Sequence, residues 1–158
     1  DSAAMTTFPH LIATGKVDVA QVLEPVAATA ITEGRVHIWH RFADRGDIGY
    51  TSFYTTRTYL QDHLDDCQTL LSGIERALKA LAKESCVDIA SDLSDLFPDV
   101  PTPTLATAIG GYQSSNLWPR QSNLPVAAFV RLKSALLAGG LISRDIPYEN
   151  VIARLEVS

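Results

Sequence analysis

Chemical signatures are scarce in this sequence. It has no G-x-G-x-x-G, no phosphate-binding P-loop, no G-x-S-x-G and no H-E-x-x-H, which leaves dinucleotide, nucleotide, acyl-hydrolase and zinc-protease chemistry without a motif. No apolar run approaches the roughly 20 residues a membrane-spanning helix needs. Basic residues are outnumbered, and the net charge of −5 argues against nucleic acid as a partner and against direct contact with an anionic membrane surface. Methionine occurs once, at position 5. The opening DSAAMTTFPH lacks the basic start and apolar core of a signal peptide. Four residues ahead of the only Met suggest a trimmed or partial chain.

Cysteine occurs twice, as Cys67 and Cys86. On one continuous helix they would stand about 28 Å apart, at 1.5 Å per residue, too far for a disulfide. The spacing fits two buried free thiols and lacks the close pairing of a zinc or redox site. Histidine offers no better metal site. His37 and His40 are three apart in a segment with strand-like alternation, which turns them to opposite faces, and His10 and His63 have no ligand-type neighbours at useful spacing. Asp92, Asp95 and Asp99 read as a solvated acidic edge. The sequence therefore predicts no metal, no cofactor and no catalytic residue.

What is present fits one globular domain of 158 residues, 46% hydrophobic and 20% charged. Val17 to Val22 alternates after Gly15, as a short strand does. Glu24-Pro25 follows, with Pro25 suited to the first helical position, then an Ala-rich helix over Val26 to Glu33 with Gly34 as its stop. Arg35 to Phe42 alternates as a second strand. Tyr50 to Arg57, dense in β-branched and aromatic residues, makes a third. Its alternation sets Tyr50, Ser52 and Tyr54 on one face and Thr51, Phe53 and Thr55 on the other. That face is a ligand wall or an ordinary sheet surface with Phe53 in the core.

Near Arg57 the period changes from 2 to 3.6. Leu70, Ile74, Leu78 and Leu81 recur at helical spacing, with Asp62, Asp65 and Asp66 at the helix front, where the dipole favours acids. A short helix is expected from Val87 to Leu96. After the break FPDVPTP, the residues Leu105, Ile109 and Tyr112 mark another helix, ended by the polar run QSSN. Val126, Phe129, Val130 and Leu137 mark the last, stopped by Gly139-Gly140. Trp118-Pro119 reads as packing near a helix end. The fold class is thus α/β and helix-rich, and three strands cover four amphipathic helices poorly unless a further sheet exists.

The Glu24-Pro25 junction is the strongest candidate site. Ligands of open α/β sheets bind beyond the strand ends, at helix N-termini. Glutamate is a poor cap compared with Ser, Asp or Asn. Glu24 is therefore either a cap or a carboxylate that accepts a hydrogen bond or charge from an N–H-bearing ligand, with Tyr50 and Ser52 as the neighbouring wall.

Taken in order, "TGKVDVAQVLEPVAATAITEG", "GYTSFYTTRTYLQDH" and "YQSSNLWPR" with "LPVAAFVRLKSALLAGGLISRDIPYENVI" resemble the C-terminal half of substrate-binding proteins of bacterial ABC importers. The subgroup resembled is the NMT1/THI5-like and SsuA-like one, which handles nitrate, alkanesulfonates, taurine and thiamine-pyrimidine precursors. Many relatives open the long helix with His-Pro, where this chain has His63-Leu64. The resemblance implies a two-lobed type II periplasmic-binding-protein fold. Residues 1–47 would belong to the second lobe. Residues 48–158 would supply the strand that returns across the hinge and the C-terminal helices packed on the first lobe, the N-terminal half being absent. It further implies a small-molecule ligand, an ABC permease as partner, and a periplasmic or extracellular lipoprotein-type location. Membrane contact would come only through the permease or a lipid anchor outside this chain. Two alternatives follow: a ligand-sensing domain of a regulator, and a THI5-like thiamine-pyrimidine synthase. The latter would need a His-rich, Cys-rich iron site that this chain does not offer.

Overall fold

The computed structural model describes residues 5–155. Seven α-helices are present among them: α1 Phe8–Ala13, α2 Val26–Thr32, α3 Arg57–Asp62, α4 Leu64–Lys83, α5 Cys86–Asp92, α6 Thr102–Ser114 and α7 Val126–Ala138. Four short 3₁₀ turns lie between or beyond them. The helix-rich part of the expected fold class is present. The strands are not: no residue among those described is in a strand. Val17 to Val22, most of Arg35 to Phe42 and Tyr50 to Thr56 run as irregular chain. Alternation is a side-chain pattern, whereas a strand exists only when its N–H and C=O groups pair with a neighbouring strand, and these segments find none. Phe53, expected inward if the sheet formed, is 74% exposed.

The helix ends show why the helical pattern survived. Gly34 sits at φ +67° after α2. The Arg35 N–H donates to Ala30 O at 2.9 Å and the Gly34 N–H to Ile31 O at 2.9 Å, the paired bonds of a Schellman stop. Gly140, φ +69°, closes α7 in the same way through Leu141 N–H to Leu136 O at 2.9 Å and Gly140 N–H to Leu137 O at 3.1 Å. Asn116 performs the turn after α6 with φ 47°, a conformation asparagine tolerates better than most residues. At the start of α5, Ser85 Oγ caps the helix by accepting the Asp88 N–H at 3.2 Å, and its hydroxyl donates to Asp88 Oδ2 at 2.7 Å. His63 interrupts what the sequence reads as one helix front: α3 ends at Asp62 and α4 begins at Leu64. Asp65 and Asp66 then occupy the first turn of α4. The His63 ring stacks on Tyr59 at 4.2 Å and its Nδ1 faces Asp66 Oδ2 at 3.5 Å.

The chain divides into two compact units, residues 1–44 with 81–118, and residues 45–80 with 119–158. The first unit is built on α5 against α6. Ile89, Ala90, Leu105, Ala106 and Ile109 form its buried cluster, with Leu81, Cys86, Leu93, Val100 and Trp118 packed around them. The helix α2 joins through its small buried faces, Ala28 and Ala30, and also packs on α6. Gln113 Nε2 ties the end of α4 to α6 by donating to Leu81 O at 2.8 Å and Glu84 O at 3.0 Å, carbonyls a helix end would otherwise leave bare.

In the second unit Tyr148, Ala128 and Leu78 are buried. Tyr148 donates its hydroxyl to Leu124 O at 2.6 Å and meets the Phe129 ring edge-on at 5.4 Å. Gly49 donates to Ala128 O at 3.2 Å, and a Cβ there would stand 3.2 Å from a Leu124 methyl, so the glycine permits the chain to lie against α7. Lys133 pairs with Asp145 and donates to Ile146 O at 3.2 Å. Glu75 on α4 holds the loop before α7: its Oε1 accepts the Ser122 N–H at 2.8 Å and the Ser122 hydroxyl at 2.6 Å.

Candidate functional site at the Glu24 junction

Pro25 occupies the N-cap of α2, one position earlier than the sequence suggested, so Glu24 precedes the cap. Proline has no side chain able to accept a hydrogen bond, and the first amides of a helix need acceptors. Glu24 supplies one. Its Oε2 accepts the Ala28 N–H at 2.8 Å, while the Ala27 N–H goes back to Leu23 O at 3.3 Å. The capping role considered from sequence is therefore present, executed by a carboxylate that reaches in from the position before the cap. Oε1 accepts no hydrogen bond among the described residues.

The backbone of Glu24 is held from α6. Its N–H donates to the Tyr112 hydroxyl at 3.0 Å, and Tyr112 meets the Trp118 ring edge-on at 5.3 Å. Burial pushes the Tyr112 phenol above its ordinary pKa. The hydrogen bond from the Glu24 N–H opposes that shift, and the nearby Glu24 carboxylate adds to it. At neutral pH the phenol keeps its proton. The phenol proton has no acceptor among the described residues.

Sequence reasoning had Tyr112 as one mark of a helical stripe and Trp118 as packing. Trp118 does pack on the core of its unit. Tyr112 was missed as part of the Glu24 junction. The available signal was a tyrosine on an apolar stripe, since a half-buried hydroxyl needs a polar partner.

Glu24 belongs to the first unit, and Tyr50 and Ser52 to the second. Tyr50 is 81% exposed, Ser52 is also exposed, and Tyr54 is 96% exposed. The candidate wall is thus an open aromatic segment. Neither unit by itself gathers all three residues.

No group of His, Cys, Asp and Glu among the described residues is arranged to hold a metal ion. Cys67 and Cys86 are free and partly buried rather than deeply buried. Asp92, Asp95 and Asp99 are all exposed. No helix among the described residues is long and apolar enough to cross a membrane.

The chain is similar to a Bacillus subtilis protein described as "Putative binding protein YtlA", with 24% identity over 144 residues. That match takes in 90% of this chain and 43% of the relative, so the chain spans less than half the length of the curated relative it matches. No family model and no solved structure matches the chain.

Proposed function

We propose that this chain is part of a solute-binding protein that captures a small organic or anionic solute and delivers it to an ABC permease. The observation that carries the reading is similarity along 90% of the chain to a protein described as a binding protein. The order of segments that resembles the SsuA-like and NMT1/THI5-like binders points the same way. In this reading residues 1–47 belong to one lobe, and residues 48–158 return to the other and pack on it. The protein works in the periplasm or on the outer face of the cell, held by a permease or a lipid anchor outside this chain. Ligand capture closes the lobes, and the closed form is what the permease recognises. No bond in the solute is made or broken.

The ligand contacts in this reading are Glu24, Tyr50 and Ser52. Glu24 offers a carboxylate oxygen that no group among the described residues of its unit uses, and Tyr50 and Ser52 offer exposed hydroxyls. The α2 amides argue about ligand class. Ala27 and Ala28 already donate within the chain, and Glu24 places negative charge at the helix start. A bare oxyanion such as nitrate would meet repulsion there, whereas a solute bearing N–H groups gains an acceptor.

Uptake tests the proposal. Cells lacking the gene should lose import of one member of a panel of nitrate, ethanesulfonate, taurine and a thiamine pyrimidine precursor, and should regain it on complementation. Unchanged import of every member would remove the importer role.

A further inference from the structure

Two segments on either side of α2 have what a strand needs except a neighbour. Val17 to Val22 and Arg35 to Phe42 both alternate in sequence, and both lie in the first unit. Among the described residues, no backbone carbonyl accepts from the N–H groups of residues 18–22 or 36–39. Val17, Val19, Ile38 and Trp39 are exposed as well. A row of unpaired amides is a template for a pairing strand, and exposed apolar side chains grouped beside it mark an interaction surface. Residues 23–34, with α2 among them, are long enough for the crossover that parallel strands require. Strands of a parallel sheet are covered on both faces. That suits Ile38 and Trp39, adjacent apolar residues that a strand would turn to opposite faces.

We infer that these two segments form a docking surface for β-strands of the same polypeptide, supplied by the part of the protein beyond these 158 residues. Length argues for that occupant: the Bacillus subtilis relative, matched along 90% of this chain, has more than half of its own length outside the match. The incoming strands pair with the amides of residues 18–22 and 36–39 and cover Val19 and Trp39. The inference rests on the chain being part of a longer binding protein, and its test needs no ligand.

The test is hydrogen exchange of the full-length protein, read by mass spectrometry on peptides spanning residues 17–22 and 35–42. Both should exchange more slowly than unstructured chain by about a hundredfold or more, as amides held in a core strand do, under conditions where size exclusion shows a monomer. Exchange at the unstructured rate would overturn the inference. So would protection that appears only in a dimer and vanishes on dilution, which would assign the cover to a second copy. The measurement uses the unaltered protein, so it does not depend on a variant folding.

A second readout follows the Trp39 side chain. In full-length protein labelled with fluorotryptophan, the Trp39 resonance is identified by its loss in Trp39→Phe. A soluble paramagnetic agent should broaden it far less than it broadens the free amino acid. Broadening to the same extent would contradict the inference even if the amides were protected, since the segments would then be ordered without a covering partner. Slow exchange with a shielded Trp39 supports the docking surface even if no solute is imported, whereas import by a protein with both segments unprotected would overturn it and leave the importer reading intact.

Discussion

Tyr112 accepts a hydrogen bond at 3.0 Å from the N–H of Glu24, a residue 88 positions earlier in the chain. This contact fixes the entry of α2 against α6 and is the longest-range polar tie in its unit that involves a candidate site residue. Tyr112→Phe keeps the ring against Trp118 and removes the acceptor, leaving a partly buried N–H unpaired. The expected loss of stability is about 1–2 kcal/mol, read as a shift in urea midpoint without a change in slope. An unchanged midpoint would mean that water replaces the phenol at no cost.

Glu24 separates into two roles by substitution. Glu24→Gln retains an amide oxygen for the Ala28 N–H, so the cap and the fold should persist. Glu24→Ala removes it and should cost about 0.5–2 kcal/mol, the usual worth of a helix cap. Chemical denaturation of the two variants checks this. Equal destabilisation would show that the charge, rather than the acceptor, holds α2.

Acid should loosen the loop before α7. The two Ser122 hydrogen bonds hold the Glu75 carboxyl below its ordinary pKa of 4.5, with the side-chain bond the larger cause and Lys79 a lesser one. A carboxylate depressed in the folded state contributes stability that is fully present above the unfolded value. That contribution is lost as pH falls through the folded one. Hydrogen exchange of the Ser122 amide should therefore be protected at pH 6, and the protection should decline below 4.5. Glu75→Gln should flatten that pH dependence. A variant with the original pH dependence would assign it to another carboxylate.

Gly34 tests the helix stop. Its φ of +67° is costly for any residue with a Cβ, yet a Cβ built there meets nothing within 4 Å. Gly34→Ala should destabilise by about 1–2 kcal/mol from backbone conformation alone. Gly73, inside α4 with equally open surroundings, supplies the control. Gly73→Ala should be neutral or stabilising, since alanine is the better helix former.

Those glycines also mark what could be read in advance. Gly34 and Gly139-Gly140 stop α2 and α7 because helix termination is local chemistry, settled by one residue's φ and two hydrogen bonds. The stripe of Leu70, Ile74, Leu78 and Leu81 likewise announced α4. The segments around Trp39 and Tyr54 misled because alternation says which side chains share a face but not whether a partner strand is there. Trp39 is 83% exposed. Of the passages between units at 44/45, 80/81 and 118/119, the second left no mark in composition because it falls inside α4. Glu24 stood out because glutamate beside proline at a helix start is unusual. Its partner did not, because the Tyr112 contact is set by helix packing across most of the chain.

Calorimetric titration of the full-length protein against nitrate, ethanesulfonate, taurine and a thiamine pyrimidine precursor tests the central claim most directly. The account predicts saturable 1:1 binding of an N–H-bearing member, unaltered chemistry of that solute after incubation, and weakening by about 1.5–3 kcal/mol in Glu24→Gln, the usual worth of a hydrogen bond to a charged group. Chemical conversion of the solute, or no binding of any panel member, would contradict it.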